Sequence, residues 1–199
     1  RHLNTDSDSE VLLNIFAHEL GKQRAILPSK KHFFQAVKKT HSRCHGAYAV
    51  LALITGFGLL AFRDPRGIRP LVIGARQGKT QKEYIIASEN SSFSALGYTT
   101  LRDVDPGEAV FIDTHGQLHS QQCADNPEPM PCLFEYVYLA RPDSTLDQIS
   151  VYKARMRMGQ KLANKITNIN PNHDIDVVIP IPDSSTTAAL QVATELNIP

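Results

Sequence analysis

The sequence has 199 residues, of which 42% are hydrophobic and 21% charged, and its net charge is +1 at pH 7. This balance is typical of a globular chain that can bury a sizeable core in one or two domains. The near-zero charge gives no global attraction to nucleic acid or to an anionic membrane, so neither partner is predicted. The longest apolar stretch, residues 47–61, is interrupted by polar and glycine residues and is too short to span a bilayer.

Cysteine and histidine usage also limits the possible functions. Cys44, Cys123 and Cys132 are an odd number of cysteines without metal-ligand spacing, which predicts free thiols in a reducing compartment, the cytoplasm. The eight histidines are scattered and form no H-E-x-x-H motif, so no zinc site is predicted.

The first 42 residues carry two helical patterns. Ser7-Asp8-Ser9-Glu10 fits a capping box, in which the Ser7 hydroxyl would bond the amide of residue 10 and Glu10 would reach back to Ser7. Apolar residues then recur at helical spacing as far as Gly21. A second helix is predicted over Lys30–Ser42, with its phenylalanines facing inward.

From Gly46 onward the pattern changes to short runs rich in β-forming residues and bounded by Gly, Pro, Asp or Asn. The predicted strands are Gly46–Leu53, Gly58–Phe62, Pro70–Gly74, Glu83–Ser88, Thr99–Val104 and Glu108–Ile112, with a short helix over Ser91–Leu96. Two helices followed by a strand meander predict an α+β domain whose helices cover a largely antiparallel sheet.

A different organisation is predicted after residue 116. Residues 123–131 contain three prolines in five positions and are expected to form an extended connector. A helix over Ser150–Thr167, a continuous apolar strand over Val177–Ile181 and a helix over Thr186–Leu196 then follow. Strand, turn and helix in this order are typical of the opening of a parallel α/β unit.

The stretch Phe62–Leu71 has the most specific sequence of the chain. Two apolar runs flank a connector with three arginines, Pro65 and Gly67, which predicts strand, turn and strand. On spacing alone it could be an ordinary hairpin with a charged tip. The string itself resembles the FRDPxGIRPL segment of amidophosphoribosyltransferases, the glutamine-dependent enzymes that open purine synthesis.

Other segments carry the same resemblance in the same order along almost the whole chain. They are Asn4–Glu10, His45–Ala49 with histidine where arginine is usual, Arg102–Glu108, Glu135–Ser144 and Asp176–Pro182. The resemblance implies an internal fragment with two parts. Residues 1–116 would be the C-terminal part of an Ntn-hydrolase αββα sandwich, the type 2 glutamine amidotransferase domain. Residues 117–199 would be a connector and the beginning of a type I phosphoribosyltransferase α/β domain.

The function that the resemblance implies is ammonia transfer from glutamine to phosphoribosyl pyrophosphate, giving phosphoribosylamine, glutamate and pyrophosphate. It also implies Mg²⁺ as cofactor, purine nucleotides as regulators and a homo-oligomer. The family's cysteine nucleophile and its two-aspartate phosphoribosyl loop have no counterpart here. No catalytic residue is therefore expected in this chain, the nucleophile is expected upstream, and the fragment alone is predicted to be inactive.

Two residues match binding positions of the family. Asp8 matches the aspartate that binds the α-amino group of glutamine, although an acidic residue in a first helical turn also serves the helix dipole. Ser184 matches a hydroxyl near the magnesium–pyrophosphate moiety. An alternative for this segment is that Asp183 or Ser184 simply caps the following helix.

Several further interpretations follow from the same comparison of residues. Cys132 matches a cluster-binding cysteine of some family members, but a cluster needs four thiolates, so no iron–sulfur cluster is predicted. Lys153, Arg157, Lys161 and Lys165 form a basic stripe that is interpreted as a solvated helix face. Two alternative functions remain: a non-catalytic folded piece with oligomer or ligand contacts only, and a sugar-phosphate glutamine amidotransferase. The predicted strand with the sequence Ile179-Pro180-Ile181-Pro182 argues against the latter.

Overall fold

The structure is a computed structural model that describes residues 3–199. The chain divides into two units, which are described separately. Unit 1 contains the chain up to Ser88 together with Ala95–Pro131, and unit 2 contains Glu89–Ser94 and Cys132–Pro199. The prediction of two domains that meet at residues 116 and 117, with their family assignment, stays a prediction.

Unit 1 combines two helices with seven strands in the described part of the chain. The helices are α1 (Asp8–Lys22) and α2 (Lys30–His41), and the strands are β1 (Ala49–Ile54), β2 (Gly58–Arg63), β3 (Val72–Gln77), β4 (Lys82–Ala87), β5 (Thr99–Asp103), β6 (Glu108–Asp113) and β7 (Leu118–Gln122). A short 3-10 helix, Ser94–Leu96, precedes β5.

The strands form two antiparallel sheets. The first sheet has the order β1-β2-β6-β7, and the second has the order β4-β3-β5. One face of the first sheet packs under α1 and α2, where Phe33, Phe62 and Phe111 are buried. The small side chain of Ala61, together with Leu71 and Ile73, belongs to a separate core cluster that joins residues of both sheets. Unit 1 is therefore layered as helix, sheet and sheet.

The connector between β2 and β3 is not the tip of a hairpin, so the hairpin interpretation of Phe62–Leu71 is wrong. Strand β2 pairs with β1 and β6, whereas β3 pairs with β4 and β5. The connector takes the chain from one sheet to the other because alternate residues on the two strands face a shared core between the layers.

Most predicted elements of unit 1 are confirmed with end shifts of a few residues. The capping box is wrong in detail, because the Ser7 hydroxyl accepts from the amide of Ser9, and Glu10 bonds Asn4 and Thr5 instead of Ser7. Strand β7 was not predicted. Its polar sequence, Leu118–Gln122, lacks the apolar alternation of the other strands.

Unit 2 is mostly helical in its described residues. A π-helical turn over Glu135–Leu139 is followed by two short paired strands, β8 (Thr145–Leu146) and β9 (Ile149–Ser150), and by helices α3 (Val151–Ile169) and α4 (Thr186–Leu196). Helix α3 crosses α4 closely at Gly159, where a Cβ atom would lie 2.3 Å from the carbonyl oxygen of Ala188. The four residues of the predicted basic stripe are all exposed on α3.

Two expectations for unit 2 are wrong. Residues Val177–Ile181 form no strand, because no other strand lies beside them in the described part of the chain, and a strand needs a neighbour for its backbone groups. Ile179 and Ile181 are consequently 78% and 79% exposed. Neither Asp183 nor Ser184 caps α4, since Ser185 occupies the cap position.

Among the described residues no helix has both the length and the apolar character that crossing a membrane requires.

Candidate functional site

Asp8 is the first residue of α1. The residues that precede this helix are held in place by hydrogen bonds to the side chain of Glu10. The Glu10 carboxylate accepts hydrogen bonds from the amides of Asn4 and Thr5, at 2.9 and 2.7 Å, and from the Thr5 hydroxyl at 2.7 Å. The Asn4 amide and the Thr5 hydroxyl lower the pKa of Glu10, so it stays ionised. This network fixes the residues before the helix and leaves the Asp8 side chain exposed.

A cavity of about 860 Å³ opens beside Asp8 within unit 1. Asp8 and Ser9 line it together with apolar residues of α1 and β1 and with polar residues that precede β1 and β3. The apolar lining residues include Leu12, Phe16, Val50 and Phe62, and the polar ones include Arg43, His45, Tyr48 and Arg69. The cavity thus offers a carboxylate, hydrogen-bonding groups and apolar surface to a small organic molecule.

Tyr48 in the cavity wall contacts the buried side chain of His41. His41 Nδ1 lies 2.9 Å from the Tyr48 hydroxyl, and the two rings stack at 5.9 Å between centroids. Burial lowers the pKa of His41 to about 4, so the imidazole is neutral at physiological pH. Burial also raises the pKa of the Tyr48 hydroxyl, which keeps its proton.

Asp64, near the start of the Phe62–Leu71 stretch, organises the connector between the two sheets. One carboxylate oxygen accepts from the amides of Arg66 and Ile68 at 3.0 and 3.2 Å. The other accepts from the amides of Arg69 and Tyr48, at 3.2 and 3.3 Å. The side chain is fully buried, so these four donors replace the water that a carboxylate requires.

Arg63 completes the connector from the other side. Its guanidinium is buried and donates to the carbonyls of Arg69, Val104 and Gly67 at 2.7, 2.8 and 2.7 Å. Gly67 has φ of 59°, and a Cβ atom there would lie 2.8 Å from the Pro106 ring. The most specific string of the sequence is therefore a scaffold, and sequence reasoning missed this role. The available signal was an Asx-type turn: Asp64 followed by Pro65 and Gly67.

In unit 2, Ser184 lies in the turn that leads into α4 and is half-buried. The hydroxyl of the neighbouring Ser185 is already hydrogen-bonded. It accepts from the amide of Ile181 and donates to the carbonyl of Ile181, both at 2.7 Å. Among the described residues, none hydrogen-bonds the Ser184 hydroxyl. Asp8 belongs to unit 1, whereas Ser184 belongs to unit 2.

The described residues fit Mg²⁺ poorly. They contain no group of three or more His, Cys, Asp or Glu side chains that could hold a metal ion. Mg²⁺ prefers octahedral oxygen ligands that include carboxylates and substrate phosphates, and Ser184 offers a single hydroxyl.

Cys123 is buried and its thiol donates to the carbonyl of Phe34. Burial raises the pKa of this thiol to about 12, so it stays protonated at neutral pH.

Unit 1 is defined by helix, sheet and sheet layers with a carboxylate beside a cavity, and unit 2 by a hydroxyl-bearing turn before a helix. Comparison with known proteins identifies relatives along the whole length of this chain. The chain is 57% identical over 198 residues to the amidophosphoribosyltransferase of Pseudomonas aeruginosa and 54% identical over 200 residues to that of Escherichia coli. It is 48% identical over 203 residues to that of Saccharomyces cerevisiae. No protein-family model matches the chain.

These matches include 100% of this chain but 40% of each relative, so the chain spans less than half the length of the curated relatives. Solved structures agree. A glutamine phosphoribosylpyrophosphate amidotransferase from Bacillus subtilis, complexed with ADP and GMP, matches with a TM-score of 0.79 and 34% identity over 100% of this chain and 39% of that chain. A structure described as the allosteric regulatory enzyme of purine biosynthesis matches with a TM-score of 0.80 and 35% identity. The predicted resemblance to amidophosphoribosyltransferases is confirmed.

Proposed function

We propose that this chain is part of an amidophosphoribosyltransferase, which transfers ammonia from glutamine to phosphoribosyl pyrophosphate and releases glutamate and pyrophosphate. The observation that carries the proposal is the similarity along the entire chain to enzymes of this name, at up to 57% identity. Unit 1 would belong to the glutamine-hydrolysing Ntn domain, whose αββα sandwich includes the helix, sheet and sheet layers found here. Unit 2 would begin the phosphoribosyltransferase domain.

In this proposal Asp8 binds the α-amino group of glutamine. A carboxylate is the natural partner of an ammonium group, and charge-assisted hydrogen bonds are short and strong. The support from the structure is the position of Asp8, which is exposed on the cavity of unit 1 at the start of α1, after residues that Glu10 fixes. The neighbouring Asp6 is exposed too but does not line the cavity.

We assign the attack on the glutamine amide to a cysteine of the intact enzyme that lies outside this chain. The thiolate would displace ammonia and form a thioester that water hydrolyses to glutamate. Ammonia would then displace pyrophosphate from carbon 1 of the ribose. Neither step can be completed by the residues present, so this chain alone is expected to be inactive.

Ser184 is proposed to contact the pyrophosphate part of phosphoribosyl pyrophosphate, near the Mg²⁺ that accompanies it. The support is that its hydroxyl has no hydrogen bond among the described residues, whereas the Ser185 hydroxyl is bonded to Ile181. Ser184 can therefore bond a ligand, whereas the Ser185 side chain stabilises the turn. Substitutions at the two positions can be compared directly.

The partners of the intact enzyme are part of the same proposal. Purine nucleotides are proposed as regulators, which agrees with the ADP and GMP bound to the Bacillus subtilis neighbour. A homo-oligomer in the cytoplasm is also proposed.

The test is pyrophosphate release from phosphoribosyl pyrophosphate by the full-length enzyme, with glutamine or ammonium chloride as nitrogen donor. We expect turnover with both donors in the wild type. Ser184→Ala should raise the KM for phosphoribosyl pyrophosphate by about tenfold, the effect of losing one hydrogen bond to a charged ligand group. Ser185→Ala should leave that KM within about twofold and lower thermal stability. Absence of turnover with either donor would contradict the proposed function, and the reverse order of the two serine variants would contradict the role of Ser184.

A further inference from the structure

Three titratable side chains of unit 1 lie together outside the cavity beside Asp8. Lys30 is the first residue of α2, Asp113 is the last residue of β6, and His119 lies on β7. Lys30 Nζ is 3.1 Å from His119 Nδ1, and His119 Nε2 is 2.9 Å from a carboxylate oxygen of Asp113. We name these three residues the lysine triad. None of them lines the cavity.

The backbone fixes the Asp113 end of the lysine triad. The other carboxylate oxygen of Asp113 accepts from the amides of His115 and Gln117, in the turn between β6 and β7, both at 2.9 Å. The hydrogen bonds from His119 and from the Gln117 amide lower the pKa of Asp113, so this side chain is ionised at neutral pH. An ionised carboxylate can only accept, so it holds the imidazole proton of His119 on Nε2. Nδ1 therefore presents its electron pair to Lys30.

Packing holds the His119 imidazole in this orientation. His119 is paired with Phe111 across the two strands, and their rings stack with centroids 6.5 Å apart. The His119 side chain is 25% exposed, whereas Lys30 is exposed at the surface. A molecule from solution can therefore reach the Lys30 amine while the imidazole stays in place.

We propose that Lys30 is a modification site, acylated on its amine by an acyl phosphate, with His119 as general base and Asp113 as positioning residue. This inference does not depend on the proposed function. A nucleophile hydrogen-bonded to a base, with the base oriented by a third group, is the arrangement that activates serine and cysteine nucleophiles. In the lysine triad an amine takes the place of the hydroxyl or the thiol.

The surroundings of Lys30 favour an anionic acyl donor. The first turn of α2 contains no acidic residue, and Lys31 next to Lys30 is exposed. The positive end of the helix dipole also attracts anions. A donor whose leaving group is a phosphate anion is therefore preferred over a neutral one.

The reaction begins with transfer of one ammonium proton from Lys30 Nζ to His119 Nδ1. This leaves a neutral amine and an imidazolium that the Asp113 carboxylate stabilises. The amine electron pair then forms a bond to the carbonyl carbon, and the bond from that carbon to the phosphate oxygen breaks. A second amine proton leaves with the phosphate, and the imidazolium returns its proton to water. The products are an amide on Lys30 and inorganic phosphate.

The test is incubation of the full-length enzyme with acetyl phosphate, followed over time by peptide mass spectrometry of acetylation at Lys30 and Lys31. Lys31 is the internal reference, because it is exposed in the same helical turn and has no hydrogen bond or ion pair among the described residues. We expect Lys30 to react about tenfold faster than Lys31, less than general bases achieve in enclosed sites, because Lys30 is exposed to water.

His119→Gln should lower the Lys30 rate to that of Lys31 and leave the Lys31 rate unchanged. Glutamine can keep a hydrogen bond to Lys30 but cannot accept its proton at neutral pH. A contact that only holds α2 against β7 would not give this selective loss. Equal rates at the two lysines in the wild type, or a faster Lys30 that persists in this variant, would overturn the proposal.

Asp113→Asn is the second variant and removes the base without removing the imidazole. The asparagine oxygen would keep the two backbone amides, so its amide nitrogen would face His119 and donate to Nε2. The imidazole proton would then lie on Nδ1, and Lys30 would lose its acceptor. We expect the Lys30 rate to fall to that of Lys31 again. If His119→Gln does not fold, this variant and the wild-type comparison decide the question, and an unchanged ratio of the two rates would refute the role of the lysine triad.

Discussion

Two segments that both resemble the amidophosphoribosyltransferases behave in opposite ways in this structure. In residues 63–69 of unit 1 the polar side chains are satisfied internally. Arg63 and Asp64 are buried and form hydrogen bonds with the backbone of their own connector. Residues 177–185 of unit 2 are open, with Ile179 and Ile181 largely exposed and the Ser184 hydroxyl without a hydrogen bond among the described residues. Resemblance alone therefore does not separate scaffold residues from residues proposed to bind ligands, and hydrogen-bond satisfaction supplies a second criterion for the proposal.

The same contrast separates two aspartates of unit 1. Asp64 is fully buried and accepts four backbone hydrogen bonds, whereas Asp8 is exposed and lines a cavity. The contrast supports a stabilising role for Asp64, and the binding role of Asp8 stays a proposal. The predictions below test it on this chain by substitution and pH, beginning with the largest effect.

Asp64→Ala should destabilise unit 1 by about 4 kcal/mol, because four buried amides lose a charged acceptor. Urea unfolding followed by far-UV circular dichroism measures the loss. Hydrogen exchange should accelerate most at the amides of Tyr48, Ile68 and Arg69. Asp6→Ala, at an exposed position, is the control and should change stability by less than about 0.5 kcal/mol. Equal effects of the two substitutions would refute the scaffold role of Asp64.

Mild acid should weaken unit 1 through His41. The pKa of His41 is about 4 in the folded chain and near 6.5 when unfolded, so the unfolded chain binds the proton first as the pH falls. The free energy of unfolding should therefore decrease between pH 6.5 and 4, by up to about 3 kcal/mol. The measurement is a series of urea titrations across this range. His41→Gln should flatten the curve, and an unchanged curve in that variant would assign the acid sensitivity to other groups.

Gly159→Ala should destabilise unit 2 by about 2 kcal/mol, because the added methyl group would overlap the backbone of α4 and force the helices apart. Thermal unfolding measures the effect. Gln160→Ala, one residue further along and exposed on α3, should be neutral or slightly stabilising, since alanine favours helix. A neutral Gly159→Ala would show that the two helices do not pack as closely as described.

Isoleucine-to-alanine substitutions compare the closed and open regions most simply. Ile73 is 1% exposed in the core between the sheets, so Ile73→Ala should lower the free energy of unfolding by about 3 kcal/mol. Ile179 is 78% exposed, and its truncation should cost less than about 0.5 kcal/mol in this chain. Chemical denaturation of both variants gives the two values. A large loss for Ile179→Ala would mean that residues 177–185 are packed, and the contrast between the segments would disappear.

Local patterns predicted the four α-helices of the chain and six strands of unit 1, because these elements have helical or alternating apolar periodicity. The pairing of strands was less accessible. Residues 62–71 resemble a hairpin in sequence, and only the three-dimensional pairing of β2 and β3 with different strands reveals a crossing between sheets. The strand predicted over Val177–Ile181 was wrong because apolar content indicates a strand but cannot supply the neighbouring strand that it needs.

The candidate sites show the same limit. Asp8 and Ser184 were predicted from resemblance, and their roles stay predictions. The structure adds the cavity beside Asp8 and the engagement of Ser185 with Ile181. It also adds contacts that join residues distant in sequence, such as Glu89 with Ser144, 55 residues apart. No local pattern predicts a bond of this kind, because its two partners have no fixed spacing.

The most direct test of the account is the steady-state kinetics of Asp8→Asn in the full-length enzyme. The account predicts a greatly raised KM for glutamine, by about a hundredfold for the loss of a charged pair to the substrate ammonium, with ammonia-dependent turnover and thermal stability unchanged. An unaltered KM for glutamine would contradict it and would leave Asp8 with helix stabilisation alone.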